Sequence, residues 1–128
     1  MTSVGMTAGQ VFVVDDVEGN RLLAKAYLER IGWKVLAFAD AKSAFECLET
    51  NHPQAMLIDI RMPGIAGDLL ASMLRSEPAT AAIRLVAYTA HALPDEIETL
   101  KASGFDEVLI KPVLMADMAR ALPAPSRA

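Results

Sequence analysis

The chain has 128 residues, 53% of them hydrophobic, and a formal charge of −4, with a pI near 5.1 and a mean hydropathy of +0.30. That is one domain with enough apolar content for a full core. An acidic chain without a basic stripe is no nucleic-acid binder, a single cysteine, Cys47, allows no intrachain disulfide, and no apolar run approaches the roughly eighteen residues of a membrane span. A soluble, cytoplasmic protein that works through protein contacts is expected.

Residues 1–9 read as a flexible leader, with Met6 as an alternative start, because MTSVGMTAGQ has neither the basic flank nor the apolar stretch of a signal peptide. Residues 10–14 form a first strand ending in Asp15 and Asp16. Over residues 17–31, Leu22, Leu23, Ala26, Tyr27 and Ile31 recur at helical spacing, and Gly32 supplies a left-handed stop. Residues 33–38 make a second strand. Asp40 caps a second helix whose inner face carries Ala41, Ala44, Phe45 and Leu48, with Cys47 as a small hydrophobe beside them. Asn51, His52 and Pro53 break it.

Residues 55–58 are four apolar residues running straight into Asp59, with Pro63 and Gly64 closing the segment soon after. A bounded apolar run of this kind reads as a strand buried on both faces. Its carboxylate belongs at the strand's carboxyl end, since a charge buried deeper without a partner is very costly. A third helix over 68–76 carries Leu69, Leu70, Met73 and Leu74, and Glu77-Pro78 closes it. Met56 and Met73 belong to buried faces.

Residues 83–88 form a fourth strand ending at Thr89, and Pro94 opens a helix that stops at Gly104. Residues 107–110 form the fifth strand, followed by Lys111-Pro112 and a short helix over 114–122, where Met115 and Met118 pack; 123–128 is a flexible tail. The domain proper spans 10–122. Five strands alternating with five helices imply a flavodoxin-like α/β fold, a doubly wound parallel sheet in the order 2-1-3-4-5 covered by helices on both faces.

In that order strands 1 and 3 are neighbours, so Asp15, Asp16 and Asp59 meet at one rim with Thr89 and Lys111. Taken singly, an end-of-strand aspartate is a cap, Thr89 a turn residue and Lys111 a solvated side chain. Four strand ends aimed at one place outweigh those readings. Three close carboxylates call for a cation, and Mg²⁺ fits because it takes one or two carboxylates with waters and phosphate oxygens, whereas calcium wants more protein oxygens. The set suits in-line transfer of a phosphoryl group onto Asp59.

At this point VVDD, LIDIRMPG, AYTAHA and IKP, in that order and on those strands, make residues 11–122 resemble the receiver domains of two-component response regulators. The phrases DDVEGNRLL and AYTAHALP resemble receivers attached to hybrid histidine kinases. The resemblance implies a phosphoacceptor switch and not an enzyme, with only self-catalysed transfer and dephosphorylation. Asp59 would accept the phosphoryl group from a histidine kinase or phosphotransfer protein. Asp16, Asp59 and the backbone carbonyl of Arg61 would hold Mg²⁺, with Asp15 acting partly through water. Thr89 and Lys111 would bind the phosphoryl group, and a downstream protein partner would read the change.

Two departures stand out. Receivers commonly carry an aromatic residue where this chain has Val108, and Tyr88, next to Thr89, should point to the other side of its strand. The last helix is also short, so output is expected through the first helix, where Arg21 and Lys25 stand, or through loops beside Asp59. Arg61 and His91 flank the site and could govern water access. Two other readings compete: a receiver-like docking module that is never phosphorylated, and a phosphatase with Asp59 as nucleophile. The latter usually has a second aspartate where Arg61 stands.

Overall fold

A strand with no polar face needs cover on both sides, and the apolar run before Asp59 has it. In the computed structural model, which describes residues 7–61, 67–90 and 93–125, that run lies in β3 (Pro53–Asp59), the middle strand of a five-stranded sheet ordered β2-β1-β3-β4-β5. The flanking strands are β1 (Thr7–Val14), β2 (Lys34–Phe38), β4 (Arg84–Thr89) and β5 (Glu107–Ile110). All four pairings are parallel. The doubly wound order read from the sequence is the order observed.

The helices are α1 (Glu18–Ile31), α2 (Ala41–Leu48), α3 (Gly67–Ser76), α4 (Pro94–Ser103) and α5 (Met115–Ala121). Alternation along the strands splits the core in two. Val11, Val13, Leu57 and Tyr88 face one way, packed with Ala24 and Leu28 of α1 and Met118 of α5. Phe12, Val14, Met56 and Ile58 face the other, against Ala44 of α2, Leu70 and Leu74 of α3 and Leu100 of α4. Each layer therefore closes over one side of β3.

Helix ends follow local chemistry. Gly32 and Gly104 stop α1 and α4 at φ of 124° and 127°, conformations that favour glycine. The Asp40 carboxylate accepts from the Ser43 N–H at 2.7 Å and so caps α2.

Two helix faces depart from the sequence reading. Leu22 and Leu23, expected on the inner side of α1, are 58% and 47% exposed, and Ala26 is exposed as well. The inward stripe is Ala24, Tyr27, Leu28 and Ile31. With Ala24 against the sheet, Leu22 lies two residues back and so about 200° around the helix. In α3 the buried residues are Leu70, Ala71 and Leu74, while Leu69 and Met73 are exposed. Both leucine and methionine lie one residue, about 100°, off the buried line.

Boundaries moved by a few residues. β1 begins at Thr7, three residues earlier than the pattern suggested, and Pro53, read as a helix breaker, is the first residue of β3, paired with Thr7. Trp33 precedes β2 but is buried, with its indole N–H donating to the Leu122 carbonyl at 3.1 Å. Pro63, Gly64 and His91 lie outside the described residues.

Candidate functional site

Parallel strands present their carboxyl ends at one rim, and this rim gathers the polar residues. Asp15 follows β1, Asp59 ends β3, Thr89 ends β4 and Lys111 follows β5. Backbone bonds carry the sheet's registration one residue further: Asp15 N–H donates to the Phe38 carbonyl at 3.0 Å, and Lys111 N–H donates to that of Thr89 at 2.8 Å. Asp15, Asp59 and Thr89 are buried, whereas Asp16 is exposed. Ligand oxygens of Asp15, Asp16 and Asp59 all lie within 4.8 Å of one another.

Lys111 ties the buried pair together. Its Nζ is 3.2 Å from Asp15 Oδ2 and 3.3 Å from Asp59 Oδ2. The other oxygen of each carboxylate accepts a backbone N–H two residues on: Val17 donates to Asp15 Oδ1 at 2.8 Å, and Arg61 to Asp59 Oδ1 at 3.0 Å. These local turns, typical of aspartate, orient both carboxylates. Three carboxylates still carry more negative charge than one ammonium neutralises. An all-oxygen set of this size, open at Asp16, fits a hard divalent ion that keeps several waters.

The two buried acids differ. Burial raises the carboxyl of Asp59, only partly offset by the Arg61 N–H and Lys111, and the charge of Asp15 adds to the rise. Burial also opposes the charge on Asp15, but there the Tyr88 hydroxyl, the Val17 N–H and Lys111 outweigh it and hold the carboxyl below its ordinary value. Asp15 is thus held as an anion by its partners, while Asp59 is the acid whose charge burial disfavours, with the Asp15 charge adding to the effect.

Tyr88 is what the sequence reading undervalued. It does point away from Thr89, into the α1 and α5 layer, yet its hydroxyl donates to Asp15 Oδ2 and its ring centroid lies 4.4 Å from Lys111 Nζ. Burial and the adjacent carboxylates push its phenol far up, so it stays a donor. The pairing of Asp59 with Tyr88 across β3 and β4 places a long side chain beside the site on the same sheet face, the one that carries Val13, Leu57 and Leu109, a placement that strand order could have supplied. Arg21 was also underread: its guanidinium donates to the Asp15 carbonyl at 2.8 Å. The Arg61 side chain lies out on the rim, 4.0 Å from Glu96, and Val108 packs half-buried in the layer of α2, α3 and α4.

Fold and site together define a doubly wound α/β domain with an acidic, lysine-bridged rim at the carboxyl ends of its strands. The chain belongs to the response regulator receiver domain family, which matches residues 11–123. It resembles the receiver regions of hybrid sensor kinases: it is 34% identical over 116 residues to sensor histidine kinase GacS of Pseudomonas protegens, covering 88% of this chain and 13% of that protein. Against aerobic respiration control sensor protein ArcB of Escherichia coli it is 34% identical over 109 residues, covering 84% and 14%. The chain therefore spans about an eighth of the length of these relatives.

Among solved structures, the receiver domain of a Pseudomonas aeruginosa sensor histidine kinase, with magnesium coordinated in its active-site cleft, superposes with a TM-score of 0.78 at 26% identity, covering 89% of this chain and 93% of that one. Chemotaxis response regulator CheY4 of Vibrio cholerae shares the fold, with a TM-score of 0.83 at 22% identity, covering 91% and 97%. Among the described residues no helix is long and apolar enough to cross a membrane.

Proposed function

We propose that residues 10–122 form a phosphorylation-controlled receiver acting in the cytoplasm, in which Asp59 takes a phosphoryl group from the phosphohistidine of a histidine kinase or phosphotransfer protein. The observation that carries this reading is the Lys111 ammonium set between the Asp15 and Asp59 carboxylates at 3.2 and 3.3 Å. Asp59 Oδ1 is held by the Arg61 N–H, so Oδ2, the oxygen facing Lys111, is the nucleophile. Its O–P bond forms as the donor's N–P bond breaks, and the electron pair leaves with the imidazole nitrogen.

Lys111 then exchanges its contact with Asp59 for one with the incoming phosphoryl oxygens, keeping Asp15 as its anchor. The Thr89 hydroxyl donates to another of those oxygens. Asp16, Asp59 and the Arg61 carbonyl would hold Mg²⁺, with Asp15 acting partly through water, and the ion would neutralise charge developing on the phosphoryl oxygens. The product adds roughly two negative charges to the rim, which changes the surface offered to a downstream protein.

Incubation with acetyl phosphate, followed by intact mass measurement, tests this reading. A gain of about 80 Da, one phosphoryl group, is expected with Mg²⁺ and is absent in EDTA and in Asp59→Asn. No gain in the wild type with either acetyl phosphate or a phosphorylated histidine phosphotransfer protein would overturn it.

A further inference from the structure

A buried tyrosine hydroxyl needs a hydrogen-bond partner, and a main-chain carbonyl would serve. Tyr88, 3% exposed, instead gives its hydroxyl to Asp15 Oδ2, the oxygen that also accepts Lys111 Nζ. Val17 holds the other oxygen of Asp15. The carboxylate plane is therefore clamped by one donor from the start of α1 and another from β4. Loss of the Tyr88 hydroxyl leaves Oδ2 to Lys111 alone, a donor that Asp59 also claims.

The same side chain meets Lys111 by a second route. The ammonium lies 4.4 Å from the ring centroid, within the range of a cation–π contact, while also reaching both carboxylates. Hydroxyl and ring thus address different partners, an anion and a cation, from one rigid residue on a central strand. Neither Asp15 nor Lys111 lies on β4, so this contact joins three strand ends.

We propose that Tyr88 is a positioning residue for the phosphoryl-transfer site: its hydroxyl sets the plane of Asp15 and so the divalent-ion affinity of the acidic cluster, and its ring steadies Lys111 for phosphoryl binding. This rests on the reading of Asp59 as phosphoacceptor. It goes beyond that reading by assigning the metal and phosphoryl halves of the site to two parts of one side chain. Partners that orient a ligand residue in this way are typically worth 10- to 100-fold in metal affinity.

Tyr88→Phe keeps the ring and removes the hydroxyl, whereas Tyr88→Leu removes both. Calorimetric titration of Mg²⁺ into the full chain is expected to show about ten-fold weaker binding in Tyr88→Phe. At saturating Mg²⁺ its rate of mass gain from acetyl phosphate returns to within about two-fold of wild type. Tyr88→Leu stays slow at saturation, because Lys111 has lost its support. In the unmutated chain, the phenol-carbon resonance of Tyr88, one of only two tyrosines, is expected to shift with Mg²⁺ along the binding curve, and this measurement stands even if a variant fails to fold.

Wild-type Mg²⁺ affinity in Tyr88→Phe, or a Tyr88 resonance indifferent to saturating Mg²⁺, would overturn the role given to the hydroxyl. Equal saturated rates in the two variants would overturn the role given to the ring. If the wild type itself neither binds Mg²⁺ nor gains the phosphoryl mass, the phosphoacceptor reading fails and takes this one with it.

Discussion

Replacing Asp59 by asparagine should stabilise the metal-free fold at neutral pH. Lys111 at 3.3 Å attracts the Asp59 charge by about 5 kcal/mol at an effective dielectric of about 20. The Asp15 carboxylate, with its ligand oxygen within 4.8 Å, repels it by at least about 3.5 kcal/mol on the same scale. Asp16 adds a smaller share through solvent. Lys111 is already committed to Asp15, and burying a carboxylate costs several kcal/mol, so the charged form of Asp59 is left a net burden of about 1–2 kcal/mol.

The pH dependence follows from the direction of the shift. Burial raises the Asp59 carboxyl in the folded state, so the folded chain binds its proton more tightly than the unfolded chain does. The burden is absent below the unfolded value of about 3.9, grows as pH rises from there through the raised folded value, and is complete above it. In EDTA at pH 7, thermal unfolding followed by circular dichroism should place Asp59→Asn about 3–8 °C above wild type. The gap should close near pH 3.5, and Mg²⁺ should raise the wild type more than the variant. A variant melting at or below wild type in EDTA at pH 7, or a gap unchanged in acid, would refute this account of the site.

Two further outcomes probe the scaffold, both by urea unfolding. Gly104→Ala should lose about 1–2 kcal/mol from its φ of 127° alone; its new methyl would also come within 2.8 Å of Arg75 Cγ, disturbing a guanidinium that donates to the carbonyls of Gly104, Ala81 and Ile83 and to Asp106. Leu28→Ala should cost about 2–5 kcal/mol, whereas Leu22→Ala, on the same helix but outside the core, should change stability by less than about 0.5 kcal/mol.

Much of the architecture was legible because its signals are local. An apolar run ending in Asp59, glycines at 32 and 104, Asp40 before a helix and Pro94 at the head of another each act on neighbouring residues, so the five strands, five helices and their order could be read directly. The meeting of Asp15, Asp16, Asp59 and Lys111 was equally legible, since parallel strands in that order can only deliver their carboxyl ends to one rim.

Helix facing was decided elsewhere. In α3, Leu69 with Met73 and Leu70 with Leu74 are both four apart, and periodicity ranks them equally. Ala71 beside Leu70 lets the backbone approach the sheet, and only the seating of the helix selects that stripe. The bond from Tyr88 to Asp15 spans 73 residues and joins strands that are not neighbours. No pattern along the chain encodes it, because it depends on how far a tyrosine side chain reaches across β3 beneath Lys111, a distance that exists only once the sheet has formed.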